Sequence, residues 1–321
     1  MKKQLLALLS VALSCAFAAD VATAAAAKYP TKPVNIIVPF GPGGGADTPA
    51  RVLAGVVPKY LGQSLIVINK PGGSGSSAHT EVARAKHDGY TLIITGNSPS
   101  TVVPYLGKVS YDPLNDFEFI IRLTNLRNCI AVSASSPYKT AEEFFAFAKA
   151  NPGKIKIGNS GANGVDDLVI RLMNKAAGMQ TVQVPFDSAA EIIAAVMGNH
   201  IAAYSGSVTA VLPMVQNNTM RILGITADER DPALPDIQTL KEKGMDVSLN
   251  NMIGIAAPKG TPKEIVAQLH DAFKKSMDDE GFKVLAKRLN FSVDYLNGAD
   301  FKKAIEADSN KVKAALAAGA K

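Results

Sequence analysis

The chain has 321 residues, 34 of them basic and 28 acidic, for a net charge of +6, with 47% apolar and 19% charged residues. That length has room for two domains, and the composition is that of an ordinary globular chain. The basic excess is small and spread out, with no dense Lys/Arg tract and no aromatic interleaving, which argues against nucleic-acid binding.

Residues 1–27 read as a cleaved secretory signal: Lys2 and Lys3, an apolar run from Leu5 to Ala19, then small residues at Ala16-Phe17-Ala18 and Ala22–Ala27. The run is short for a membrane span. The alternatives are a retained N-terminal anchor, or lipidation of Cys15 behind Ala12-Leu13-Ser14. No later segment is long and apolar enough for a membrane helix. Beyond the signal only Cys129 remains, so no internal disulfide is possible there; it reads as a small apolar residue buried on a strand. The chain has no Trp.

Apolar runs alternate with helical patterns. Val34–Pro39, Ser64–Asn69 and Thr91–Thr95 predict strands, with helices over Thr48–Leu61 and Ser76–Lys86 between them. Cys129–Ser133, Lys154–Gly158, Thr181–Val184, Ile201–Ser205 and Arg221–Thr226 predict further strands. This alternation argues for an α/β protein with largely parallel sheets. Thr140-Ala141-Glu142-Glu143 and Thr261-Pro262-Lys263-Glu264 predict capping boxes, the second with Pro at the first helical position. Core stripes follow: Ile265, Val266, Leu269, Ala272, Phe273 and Met277 on one helix, then Phe301, Ile305, Val312 and Leu316 on a C-terminal one. No Gly/Ser tether separates two halves, so strands themselves are expected to cross between them, near Arg127–Val132 and Asn250–Ile255.

Glycine-rich loops close the strands. Phe40–Asp47, with Gly41, Gly43, Gly44 and Gly45, joins the first strand to a helix that Asp47 or Thr48 can cap. Backbone N–H groups at such a helix start attract anions without a charged side chain. Gly41-Pro42-Gly43-Gly44-Gly45-Ala46 formally matches a dinucleotide fingerprint, but the second strand ends at Asn69-Lys70, where an acidic ribose ligand is wanted. No Gly-Lys-Ser/Thr follows, which excludes a P-loop. Similar turns occur at Pro71–Ser77, Thr95–Pro99, Gly158–Gly164, Pro185–Ala189 and Ser205–Ser207. In open α/β sheets ligands bind beyond the carboxyl ends of strands, so these loops are expected to line two facing rims. They are rich in hydroxyls, amides and backbone donors and poor in Lys and Arg, which suits reversible capture of a carboxylate. A hydrolase is the alternative class, through Ser77 or Ser160 with His79, His200 or Asp187; there is no G-x-S-x-G elbow, and the histidines read as structural or surface groups. No His or carboxylate cluster has metal spacing. Asp166-Asp167 reads as an acidic pair opposing a helix dipole.

Together these segments resemble the TctC/Bug-type extracytoplasmic solute receptors of tripartite tricarboxylate transporters. The resemblance rests on Tyr29–Pro33, Ile37–Asp47, Asn69–Gly75, Asp88–Leu92, Tyr111–Pro113, Ala150–Lys154, Val184–Asp187, Leu234–Leu240 and Ala257–Pro262. It implies a type II periplasmic-binding-protein fold, two α/β domains joined by crossover strands with a ligand cleft between them, and a two-subunit membrane permease as partner. Ligands in the family are mostly carboxylates. The family's clamp corresponds to Phe40–Asp47 and Ser160–Val165. Ala202–Ser207 lacks the aspartate of many Bug-type members and, like Phe186-Asp187-Ser188, is similar to the TctC-like branch; Asn250–Gly254 lacks that branch's Trp-Arg.

The expected organisation is residues 28–128 with 252–321 as one domain and 129–251 as the other, in a monomeric periplasmic receptor for a small organic anion, not an enzyme. The expected ligand residues are Phe40, Gly43, Gly44, Gly45, Asp47, Thr48, Asn97 and Ser98 on one side. Ser160, Gly161, Asn163, Gly164, Asp187, Ser188, Ser205 and Ser207 face them, with no cofactor and no metal. Asp47 and Asp187 are read either as helix caps or as groups that hold water or a ligand amine. The same fold also serves ligand sensing for a signalling system, the second reading of function.

Overall fold

The structure, a computed structural model, describes residues 29–249 and 251–317. The expected signal segment, Cys15 and Asn250 lie outside the described residues. Residues 32–321 form one compact unit. Among the described residues no helix is long and apolar enough to cross a membrane.

Two mixed sheets organise it. The first contains β1 (Val34–Val38), β2 (Leu65–Asn69), β3 (Thr91–Gly96), β4 (Phe117–Leu126), β10 (Asn251–Pro258) and β11 (Leu296–Asn297), in the order β11-β4-β10-β3-β1-β2. The second contains β5 (Asn128–Ser133), β6 (Lys156–Asn159), β7 (Val182–Pro185), β8 (Ala203–Ser207) and β9 (Met220–Ile225), in the order β7-β6-β8-β5-β9. The main helices are α1 (Asp47–Val56), α2 (Ser76–Ala83), α3 (Ala141–Ala150), α4 (Val165–Ala177), α5 (Ala189–Met197), α6 (Val208–Gln216), α7 (Lys263–Asp278), α8 (Glu280–Arg288) and α9 (Gly298–Ala317).

The sheets are less parallel than the alternation suggests. β1 pairs in parallel with β2 and β3, and β6 with β7 and β8, but β5 and β10 run antiparallel to both their neighbours. The physical reason is the route of the chain. It passes from β4 to β5 through Arg127 alone, without the helical crossover that returns a strand in the same direction. A strand arriving directly from the other sheet enters from the opposite end.

Strand periodicity sets the cores. On β5, Ile130 and Val132 enter one cluster with Phe144, Leu168 and Ile157, while Cys129 and Ala131 enter another with Ile192, Tyr204 and Val211. Cys129 is fully buried, and burial pushes its thiol pKa well up. On α9, Phe301 and Ile305 pack into the core of the first sheet with Ile37, Ile93 and Phe119; Val312 and Leu316, two turns on, pack into the second.

Helix ends correct two expectations. Thr140 caps α3, its hydroxyl accepting from Glu143 N–H at 3.2 Å. Thr261 does not cap α7: its hydroxyl donates to the Pro258 carbonyl at 2.8 Å, and Pro262 is the cap residue. The expected helix over 48–61 stops at Val56 and restarts as a single turn at Pro58, because a proline inside a helix removes a donor and crowds the preceding turn.

Candidate ligand-binding site

The loop after β1 is organised by one carboxylate. Asp47, 2% exposed at the first position of α1, accepts from Gly43 N–H at 2.9 Å, Arg51 Nε at 2.8 Å and Asn69 Nδ2 at 2.8 Å. Burial alone would raise its pKa, but the hydrogen bonds from Arg51, Gly43 and Asn69 outweigh that and hold it below the ordinary value. The second sheet repeats the device. Asp167, 1% exposed in the first turn of α4, accepts from Asn163 N–H at 2.8 Å and from Arg171 Nη2 at 3.0 Å. Gly43, Asp47 and Arg51 thus correspond in spacing and bonding to Asn163, Asp167 and Arg171. In each set a residue with positive φ shapes the turn, a buried carboxylate ties it, and an arginine one helical turn on neutralises the charge.

The two rims touch directly. Gly41 N–H donates to the Asp187 carbonyl at 2.9 Å, the Ser74 hydroxyl to the Ala162 carbonyl at 2.7 Å, and Val165 N–H to the Ser98 hydroxyl at 3.0 Å. Small residues permit this approach. A Cβ on Gly45 would lie 2.6 Å from Leu126 and 3.0 Å from the Ser207 hydroxyl. One on Gly161, whose φ is +96°, would lie 2.7 Å from the Ser74 hydroxyl.

Between the rims lies a cavity of about 60 Å3, several times what one water needs. Four helices begin at its wall: α1 behind Gly44, Gly45 and Ala46, α4 at Asp166, α5 at Ala189, and α6 behind its cap residue Ser207. Helix starts carry positive partial charge and unpaired N–H groups, so they favour an anion. Among the described residues no Lys, Arg or His lines the cavity.

Of the expected ligand residues, Phe40, Gly44, Gly45, Asn97, Ser98, Ser160 and Ser207 line this cavity. The others lie elsewhere. Gly43 and Asp47 are bonded to each other, and Thr48 turns back to the Gly44 carbonyl. Gly161, Asn163 and Asp187 line a more open depression at the outer rim with Lys108 and Glu191. Gly164 packs against Ser74 and Ser98. Ser188 caps α5, its hydroxyl accepting from Glu191 N–H, and the buried Ser205 hydroxyl reaches the Asp166 carbonyl. The Asn97 amide is also committed, accepting from Met252 N–H at 2.6 Å and donating to Asp308 at 2.9 Å, so it fixes β3 against β10 and α9.

Four lining residues with polar chemistry fall outside the expected set: Thr95, whose hydroxyl is engaged by His79, and Asp166, Tyr204 and Asn251. A signal for Asp166 exists. Adjacent residues on a helix point about 100° apart, so Asp167, once paired with Arg171, leaves Asp166 on another face. Nothing in the local pattern marks Tyr204 or Asn251.

The family model for the tripartite tricarboxylate transporter family receptor matches residues 49–319. The chain belongs to this receptor family. It is similar to the "UPF0065 protein in gbd 5'region" of Cupriavidus necator, at 34% identity over 88% of this chain and 86% of the relative. Among solved structures it resembles MatC from Rhodopseudomonas palustris with bound malate, with a TM-score of 0.83, 25% identity, and coverage of 88% of this chain and 98% of that one. An R. palustris protein with adipate matches with a TM-score of 0.82, 25% identity, and coverage of 89% and 96%. The fold is the two-sheet periplasmic-binding-protein fold of this family, a family of receptors and not of enzymes. The Ser77–His79 pair of the hydrolase alternative fails on geometry as well. Both ring nitrogens of His79 are engaged, by the Gly75 carbonyl at 2.8 Å and the Thr95 hydroxyl at 3.0 Å, while Ser77 is exposed.

Proposed function

We propose that this receptor captures a small organic anion, a carboxylate, in the periplasm and delivers it to the membrane permease of a tripartite tricarboxylate-type transporter. The observation that carries the reading is the cavity itself: four helix starts and a set of hydroxyls and amides, with no basic side chain. Neutral donors hold a carboxylate firmly enough to collect it and weakly enough to release it. Malate and adipate in the solved relatives support a carboxylate as the class. Gly44, Gly45, Ser98 and Ser207 are the proposed donors, with Asn97 holding their rims in place.

In this reading residues 28–128 with 252–321, and 129–251, are two lobes. They hinge near Arg127–Val132 and Asn250–Ile255 and close on the ligand as a monomer. The direct bonds between the rims belong to the closed form, whose population the ligand raises and the permease recognises. Residues 1–27 direct export.

The test is a thermal-shift titration of protein first unfolded and refolded to strip retained ligand. The panel contains C3 to C6 mono- and dicarboxylates, citrate, amino acids and aromatic acids. A saturable rise in melting temperature for one class is expected, since a ligand that binds only the folded state stabilises it by mass action. No shift with any acid would count against a carboxylate receptor.

A further inference from the structure

The cavity that supports an anion also contains a carboxyl group. Asp166 lines it from the second position of α4, half-buried and opposite the glycine loop of the first sheet. Its neighbour Asp167 is neutralised by Arg171; among the described residues Asp166 has no such partner. The titratable groups facing it are Asp167 on its own helix, Cys129 on β5 and Tyr204 on β8, all acidic or neutral. The remaining polar neighbours are Asn128, Ser160 and Ser205, and the arginine of its own helix, Arg171, is turned to Asp167.

The surroundings favour the ionised, acceptor form by geometry and oppose it by burial. Asn128 Nδ2 donates to Asp166 Oδ1 at 2.7 Å, and Ser160 donates through its hydroxyl and backbone. Asn128 is itself oriented by Asn251 Nδ2, which donates to it at 2.9 Å. The carboxylate is therefore held in place by donors on the protein side, with its remaining acceptor capacity toward the cavity. Burial pushes its pKa up to about 6, so the charge is uncompensated in the protein alone. A second carboxylate brought beside it would deepen that cost; a cation would remove it.

We infer that Asp166 makes this cavity selective for an acid that also carries a positively charged nitrogen, with the ligand's carboxylate at the glycine loop and its ammonium group on Asp166. The inference rests on the carboxylate-receptor reading and narrows it. The ligand then supplies both charges that the cavity lacks: an anion for the helix starts and a cation for the unpaired carboxyl.

The experiment is isothermal titration calorimetry at pH 6 and pH 8 with acids of matched skeleton: aspartate, malate and succinate; glutamate and glutarate; 4-aminobutyrate and butyrate. The amino member of at least one set is expected to bind the unmodified protein at least about tenfold tighter than its des-amino and hydroxy counterparts, the size of a charge-assisted hydrogen bond. Asp166→Asn should abolish that preference by weakening the amino acid, with the des-amino acid bound as well as before or better. Asp166→Ser is the second variant, and thermal unfolding checks that both fold. At pH 6, buffers of different ionisation enthalpy should report net proton release as the ammonium draws Asp166 into its charged form. Des-amino acids binding as tightly as amino acids, a preference unchanged in both variants, or proton uptake would overturn the selectivity and leave the receptor reading standing. Absence of binding by every acid at both pH values would overturn both.

Discussion

His79 and Asp166 carry the pH dependence of this protein in opposite directions. His79 is fully buried between the Gly75 carbonyl and the Thr95 hydroxyl, against the rings of Tyr111 and Phe117, and burial lowers its pKa from 6.5 to about 4. Between those values the unfolded chain binds the proton and the folded one does not. Stability from this group is therefore complete above pH 6.5 and is lost as pH falls toward 4, by at most about 3 kcal/mol. For Asp166, whose pKa is raised from 3.8 to about 6, the folded state binds the extra proton, so its charge destabilises the fold as pH rises through that window. Melting temperatures from pH 8 to pH 5 test both signs. His79→Gln should flatten the loss on acidification. Asp166→Asn should steepen it and raise the melting temperature at pH 8. Parallel curves for both variants would show that neither group titrates as described.

Loops and helix starts carry the binding geometry, and they were legible in part. Gly44, Gly45, Ser98 and Ser160 follow from glycine and hydroxyl content at strand ends, because only such residues allow close backbone approach. Asp47 was ambiguous in sequence because a carboxylate at a helix start has several possible partners. Only the fold brings Asn69, from β2, to the same carboxylate as Arg51. Contact between the rims is likewise tertiary. Ser74, with φ of +52°, sends its hydroxyl across to Ala162, and Gly161 leaves the room for it. Ser74→Gly keeps the backbone conformation and removes that bond, worth about 1 kcal/mol. Ligand affinity should fall about fivefold with little change in melting temperature. Gly161→Ala adds a Cβ at positive φ and against Ser74, and should weaken binding more than Ser74→Gly does. Unchanged affinity in both variants would mean that closure does not use this contact.

At the scale of the molecule, the two sheets are bound into one unit by more than the crossover strands. α9 packs Phe301 and Ile305 on the first sheet and Val312 and Leu316 on the second, and between them Asp308 accepts from Asn97 at the end of β3. Calorimetry of residues 32–321 should therefore give a single unfolding transition that ligand shifts as a whole. Two resolved transitions, only one of them moved by ligand, would contradict this coupling.

What the sequence by itself determined is local. Period-two and helical stripes place Ile130, Leu269, Phe273, Phe301 and Ile305 in cores, and glycine-rich strand ends mark the rims, because each signal lies within one element. Tertiary structure decided the rest. The antiparallel sense of β5 and β10 depends on which sheet the chain has just left. The span of α9 over both cores depends on where the second sheet docks. The exposure of Asp166 to the cavity depends on Asp167 having taken the arginine. Each is a choice between partners distant in sequence, and local patterns hold no record of which partner wins.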